Sequence, residues 1–127
     1  MTGQDELRFQ DELGSLELED AVLLFTGSLQ YVADVFAFLE QVVASFDIVA
    51  LDNVLVWPEA EHAIFVQHLD PKRFGPVSLP TWCFGRDRLA EWFASRGFTL
   101  VELFRQRPRP RFENCGMLFA RLPTQPI

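Results

Sequence analysis

The apolar positions of the chain fall into short runs that predict strands alternating with helices. Residues 21–25 form a continuous apolar run that ends in a turn at Gly27, and residues 47–56 form a second, β-branched run. Runs of this length are typical of strands buried on both faces of a parallel sheet. Between them, apolar residues recur with helical spacing over residues 35–46, and Asp34 is placed to cap that helix. The pattern therefore predicts a strand, helix, strand crossover between parallel strands.

The second half of the chain combines a proline-rich segment with another helix and a strand. Residues 57–85 contain Pro58, Pro71, Pro76 and Pro80 and predict a long irregular loop, a kind of segment that often carries function. Within it, only residues 63–67 have the pattern of a short strand. Residues 86–96 then predict a helix that Gly97 ends in a left-handed conformation, and residues 98–104 predict a strand.

The pattern of the last third predicts an antiparallel terminal hairpin. Residues 105–111 alternate arginine with proline and predict an extended loop, and residues 115–122 predict the returning strand. The fold class is therefore α/β, a single domain over residues 1–127 with helices packed on the sheet. Because this sheet is one-sided, we expect its edge at residues 21–25 to be covered by residues 1–19, by a second copy or by another chain.

Composition and charge narrow the possible functions. The chain has 127 residues, of which 49% are hydrophobic and 23% are charged, as in one ordinary globular domain. Its apolar runs are far shorter than the roughly 20 residues that cross a bilayer. Since the N-terminus has neither a basic flank nor an apolar signal core, we expect a cytoplasmic protein without a membrane partner. The two cysteines, Cys83 and Cys115, lie far apart and are interpreted as reduced thiols.

The net charge of −7 argues against nucleic acid as a partner, because phosphate contacts need a basic surface. The exception is the arginine cluster at positions 105, 107, 109 and 111. This cluster has two interpretations. It binds phosphate, sulfate or an acidic partner, or it is a solvated hairpin loop.

Four short segments resemble a family of bacterial S-adenosylmethionine-dependent methyltransferases. They are Phe-Thr-Gly-Ser-Leu-Gln-Tyr-Val at residues 25–32, Val-Gln-His-Leu at 66–69, Leu-Pro-Thr-Trp-Cys-Phe at 79–84, and Arg-Gly-Phe-Thr-Leu-Val at 96–101. The resemblance covers roughly residues 7–122. It implies the C-terminal portion of a Rossmann-like methyltransferase sheet, strands four to seven with the last antiparallel, and S-adenosylmethionine as the cofactor.

The chain departs from the family where the cofactor is normally held. In such enzymes a glycine-rich turn and an acidic residue at a strand end bind the cofactor. No Gly-x-Gly occurs in this chain, and the segment before residue 20 is too short for two strands and two helices. By the resemblance, Asp11 matches the polar residue that meets the adenine. The chain therefore resembles a truncated methyltransferase.

The candidate site lies at the carboxyl ends of the predicted parallel strands, where doubly wound sheets bind ligands. Ser28, Gln30 and Tyr31 follow the first strand, and Asp52 and Asn53 lie near the end of the second. The resemblance implies that Tyr31 positions a methyl acceptor, that Asp52 takes its proton or holds its hydroxyl or amine, and that Asn53 binds it. Ser28 and Gln30 would then face the cofactor. The alternative is that these side chains only satisfy turn backbone at a solvated strand end.

Three further residues are candidates in the proline-rich segment. His68 is a possible general base, since histidine titrates near neutral pH, and Gln67 beside it is a possible substrate ligand. Trp82 is a candidate wall of the substrate pocket. The alternatives are a solvent-exposed histidine and a tryptophan that fixes the loop to the core. A metal shared by His62 and His68 is disfavoured, because six residues of strand separate them by about 20 Å.

Two hypotheses about function follow. The first is methyl transfer from S-adenosylmethionine to a small-molecule or glycan acceptor. The second is a catalytically inactive methyltransferase-like remnant that acts as a partner-binding module, and the missing glycine-rich turn favours it.

Overall fold

The computed structural model describes residues 21–121. The described elements, in chain order, are β1 (Val22–Thr26), α1 (Val35–Val43), β2 (Ile48–Trp57), β3 (Ala63–His68), α2 (Pro71–Phe74), β4 (Ser78–Gly85), α3 (Arg86–Ala94), β5 (Phe98–Pro108) and β6 (Glu113–Arg121). A single turn of 3-10 helix at Leu29–Tyr31 follows β1.

The strands form one sheet in the order β3, β4, β2, β6, β5, with β1 also paired to β2. β1 is parallel to residues 48–52 of β2, and β4 is parallel to β2 only at Val56 and Trp57. Along its other edge β2 pairs with antiparallel β6. The first edge of β2 is therefore divided between two neighbours, and among the described residues no strand pairs there with residues 53–55.

The structure confirms the α/β fold class and most of the predicted elements. β1, α1 and β2 form the predicted crossover, and β5 pairs antiparallel with β6 as the predicted terminal hairpin. α3 ends at Ala94, two residues before the predicted end, and Gly97 closes the following turn with φ of +88°. Asp34 precedes α1 as predicted, but its side chain makes no capping hydrogen bond.

The prediction of one long irregular loop at residues 57–85 is wrong. The short strand predicted at residues 63–67 is confirmed as β3, and it forms an antiparallel hairpin with β4, which was not predicted, with Val66 opposite Pro80. A proline is tolerated in a strand where the ladder does not require its missing N–H, so prolines alone do not exclude a hairpin. Pro71 instead begins the short helix α2, as its fixed φ favours.

The arginine and proline segment is also more ordered than predicted. β5 extends to Pro108, and Arg105 and Arg107 pair in register with Cys115 and Asn114 of β6. Register shifts after Leu100 and Arg105 bend this pairing. Only residues 109–112 form the connecting turn.

The core lies between one face of the sheet and helices α1 and α3. Leu39 of α1 and Leu89 of α3 are fully buried with Val54 and Val56 of β2. The rings of Phe93 and Phe119 stack with 4.0 Å between centroids. Burying each such side chain contributes about 1.5–3 kcal/mol, so this face dominates the stability of the domain.

The opposite face of the sheet is exposed at β1. Val22 is 52% exposed and Leu24 is 60% exposed, and Ile48, paired with Val22, is 38% exposed. Within residues 21–121, β1 pairs only with β2. The structure thus describes one covered face and one apolar face in contact with solvent.

Candidate functional site

A cavity of about 460 Å³ lies where β1 ends beside the middle of β2. It adjoins residues 53–55, the part of β2 between its two parallel neighbours. Four of the residues predicted for the site line it: Gln30, Tyr31, Asn53 and Gln67. The strand-end rule therefore located the β1 side of this cavity from the sequence. The placement of Asp52 and Asn53 near the end of the second strand is wrong, because β2 continues to Trp57.

The backbone at Asn53 shapes the cavity. Asn53 has φ of +58°, in the left-handed region that asparagine tolerates better than most residues, and the β2–β6 register shifts between Leu51 and Val54. The backbone N–H of Asn53 donates to Gln106 Oε1 at 2.7 Å, and Gln106 Nε2 donates to Asp52 Oδ1 at 2.6 Å. The side chain of Gln106 thus holds the irregular point of β2 in place.

Two buried amide oxygens on the cavity have no hydrogen-bond partner among the described residues. Gln30 is 4% exposed, and its Nε2 donates to the Asn53 carbonyl at 3.2 Å, which leaves Oε1 as a free acceptor. Asn114 on β6 is 8% exposed, and its Oδ1 is likewise without a donor. Because an unsatisfied buried polar atom costs about 1–3 kcal/mol, a hydrogen-bond donor that reaches either oxygen is favoured there.

A hydrogen-bond network joins the turn after β1 to the β3–β4 hairpin. Tyr31 Oη donates to Gln67 Oε1 at 2.9 Å, and Thr81 Oγ1 donates to the same oxygen at 3.2 Å. Tyr31 is 42% exposed, so its hydroxyl oxygen can still accept a bond from a ligand. The network fixes the tyrosine ring at the cavity, as positioning a substrate requires.

Other residues of the lining were not assigned to this site from the sequence, among them Phe65, Arg107, Arg109, Phe112 and Asn114. Leu55, Asn114 and Arg107 are register neighbours on three adjacent strands, β2, β6 and β5. The arginine and proline pattern indicates an anion-binding segment, but only the strand pairing shows that two of its arginines reach this cavity.

Other predicted residues lie near the cavity without lining it. Asp52 accepts the bond from Gln106 described above, and Ser28 precedes the 3-10 turn, where its carbonyl accepts from the Tyr31 N–H at 3.1 Å. Asp11 lies outside the described residues.

His68 and Trp82 are not brought to the cavity. His68 Nδ1 lies 2.9 Å from Ser78 Oγ near the exposed end of the hairpin. Trp82 Nε1 donates to the Val32 carbonyl at 2.9 Å, and its ring stacks on Phe84 with 6.0 Å between centroids. The placement of Trp82 matches the alternative interpretation, a tryptophan that fixes the hairpin to the core.

The second histidine lies among aromatic side chains behind the hairpin. His62 Nδ1 accepts from the Gly85 N–H at 3.0 Å, and its ring lies 4.9 Å from that of Phe36. Burial, and then the nearby charge of Arg88, lower the pKa of His62 from 6.5. His62 is therefore a neutral structural group.

Burial raises the pKa of both cysteine thiols, Cys83 and Cys115, to about 11, so neither is an activated nucleophile. In residues 21–121 no group of three or more His, Cys, Asp or Glu side chains is placed to hold a metal ion. A second cavity of about 620 Å³ lies beside Trp57 and Arg111, and no predicted site residue lines it. None of the helices described is long and apolar enough to cross a membrane.

The cavity of about 460 Å³ at the end of β1 suits a methyl acceptor better than S-adenosylmethionine itself. Its described lining contains two arginines and no carboxylate, whereas a sulfonium is cationic and a ribose diol is usually held by a carboxylate. The free oxygens of Gln30 and Asn114 suit a hydroxyl or amine. The lining of this cavity does not fit the adenosine part of the cofactor.

Comparison with known proteins gives a likeness of fold. No family model and no curated protein matches the chain. The chain is similar to two crystal structures of the N-terminal domain of EvdMO1, one with SAH bound and one in the presence of SAH and D-fucose. Each has a TM-score of 0.50 and 18% identity, and the match covers 91% of this chain. It covers 54% and 53% of those chains, so this chain spans about half their length.

Proposed function

We propose that this chain belongs to an S-adenosylmethionine-dependent methyltransferase and that its cavity at the end of β1 holds the methyl acceptor. The observation that carries the proposal is the pair of buried oxygens of Gln30 and Asn114, two residues of the lining, which have no partner among the described residues. The similarity in fold to a domain that holds SAH, the demethylated product of S-adenosylmethionine, supports it.

In this proposal the residues of the chain orient the acceptor. Gln30 and Asn114 accept hydrogen bonds from its hydroxyl or amine groups, and Tyr31, held by Gln67, sets its direction. Asp52 lies one residue from the cavity and is the proposed proton acceptor, with Gln106 fixing its carboxylate. S-adenosylmethionine supplies a methyl group that is already activated, so positioning of the acceptor is the main contribution of the protein.

Calorimetric titration of the full chain with S-adenosylmethionine and SAH tests the proposal. We expect saturable binding with a micromolar dissociation constant. Asp11→Asn should weaken it, because Asp11 is proposed to meet the adenine, whereas Asp5→Asn in the same acidic segment is the matched control and should not. A chain that is folded by circular dichroism and gives no binding heat with either compound would contradict the proposal.

The second candidate function is a partner-binding module without catalysis. The exposed apolar side chains of Val22, Leu24 and Ile48 favour it. In this case a second copy or a complementing chain covers the sheet. Absence of binding to S-adenosylmethionine together with a stable complex would support this second function.

A further inference from the structure

The cavity at the end of β1 has a charge opposite to that of the whole chain. The chain carries a net charge of −7, yet the described lining contains Arg107 and Arg109 and no aspartate or glutamate. Within residues 21–121, neither arginine lies in ion-pair contact with a carboxylate. Since a guanidinium stays charged at any physiological pH, the cavity attracts anions.

Strand register brings one of these charges beside the buried amides. Arg107 on β5 pairs with Asn114 on β6, and Asn114 pairs with Leu55 on β2. Paired residues project from the same face of a sheet, so Arg107 and Asn114 serve the same cavity. Arg105, on the other side of the register shift, pairs with Cys115 and lies 3.3 Å from Glu113.

The turn between β5 and β6 supplies the second charge. The guanidinium carbon of Arg109 lies 5.7 Å from the ring centroid of Phe112, and both side chains line the cavity. This contact favours a defined placement of the guanidinium beside the ring.

The buried oxygens of the cavity favour a different kind of ligand group from the one that the arginines favour. Gln30 Oε1 and Asn114 Oδ1 accept hydrogen bonds and donate none, so they favour hydroxyl or amine groups and disfavour a carboxylate. The rings of Tyr31, Phe65 and Phe112 provide apolar walls. A volume of about 460 Å³ lies within the usual range of pockets for small organic molecules and accommodates a single sugar or aromatic ring.

We propose that this cavity binds a small organic anion that also carries hydroxyl groups. Its carboxylate or phosphate contacts Arg107 and Arg109, and its hydroxyls donate to Gln30 and Asn114. The inference that this anion is the methyl acceptor rests on the function proposed above, whereas the binding of the anion does not.

Titration of the full chain with matched sugars tests the charge requirement. The probes are D-glucuronate and D-glucose 6-phosphate, with D-glucose as the uncharged control and acetate as the anion without hydroxyls. We expect at least one of the two hydroxylated anions to bind at least tenfold more tightly than glucose or acetate, and to weaken as salt is added. Failure of both, or equal binding of glucose, would overturn the proposal.

Arginine variants test the location. Arg107→Gln and Arg109→Gln should each weaken binding of the hydroxylated anion about tenfold, the effect of losing one charge-assisted hydrogen bond. Arg111→Gln removes a charge from the same segment outside this cavity and should leave the affinity within twofold. An equal loss in all three variants would show general attraction to the arginine segment and would refute the site.

Parallel titration with SAH separates the two proposals. Binding of the hydroxylated anion without SAH binding would contradict the methyltransferase assignment and leave the anion site standing. Binding of SAH without binding of either hydroxylated anion would contradict the anion site and leave the methyltransferase assignment standing.

Discussion

Single residues at the site differ in how far the sequence could predict them. Gln30 was found because a strand-end rule depends only on where apolar runs stop. Arg107 and Asn114 were not assigned, because their place depends on which residues pair across β5 and β6. His68 belongs to a segment that resembles the family, yet hydrogen bonding to Ser78 holds it away from the cavity. Gln67, from the same segment, does line the cavity, so a matching motif alone does not decide which of its side chains reach the site.

His62 is expected to make the stability of the fold depend on pH. Its Nδ1 must be unprotonated to accept from the Gly85 N–H, and burial lowers its pKa below the value of about 6.5 in the unfolded chain. The unfolded state then binds more protons, so stability is fully present above pH 6.5 and falls as the pH drops below it. Urea unfolding between pH 7.5 and 5.5 measures this fall.

The matched variant for His62 is His62→Gln, whose side-chain oxygen can accept the same bond without titrating. Its free energy of unfolding should vary less over this pH range than that of the wild type. Glu61 and Arg88 are unchanged in the variant, so their charges contribute equally to both measurements. An identical pH dependence in the two proteins would assign the effect to other groups.

Elements were predictable where hydrophobic periodicity alone determines them. β1, α1 and β2 follow from apolar runs and helical spacing, and their parallel pairing follows from the crossover. β3 was predicted as a short strand, whereas β4 was missed because prolines obscure its strand pattern, although Pro80 is accommodated opposite Val66. The extension of β5 through Arg107 was missed because its side chains are exposed, so no apolar alternation marks it.

The β5–β6 hairpin contains a close contact that a substitution should disrupt. Phe104 pairs with Gly116, and a Cβ at position 116 would overlap the Phe104 ring. We expect Gly116→Ala to destabilise the fold by about 1–3 kcal/mol, because the ring must leave its place or the strands must separate. Thermal or urea unfolding measures the loss.

A double-mutant cycle with Phe104→Ala separates this overlap from a general effect on β6. In the Phe104→Ala background the ring is gone, so Gly116→Ala should cost at least 0.5 kcal/mol less, estimated as about the smallest coupling seen between contacting residues. If the effects of the two substitutions are additive, the strain comes from the buried backbone of β6 and not from overlap with the Phe104 ring.

At the scale of the whole molecule, the described fold leaves an apolar surface that single domains usually cover. Val22, Leu24 and Ile48 present exposed side chains on neighbouring strands, and β1 has one strand partner within residues 21–121. Contiguous exposed apolar surface and a free strand edge both favour association with another chain. We therefore expect the purified chain to self-associate, with a mass by light scattering above 14.6 kDa that rises with concentration.

Leu24→Lys tests whether this face mediates the association. Leu24 is 60% exposed, so the lysine should leave the fold intact while placing a charge in the middle of the contact. The mass should fall toward that of a monomer, whereas Val101→Lys on β5, at a site of similar exposure, is the control and should leave it unchanged.

A wild-type chain that stays at 14.6 kDa over a wide concentration range would show that residues of the same chain cover this face or that it is tolerated in water. Proteolysis would then distinguish these two cases, because a segment packed on β1 resists cleavage and a free one does not.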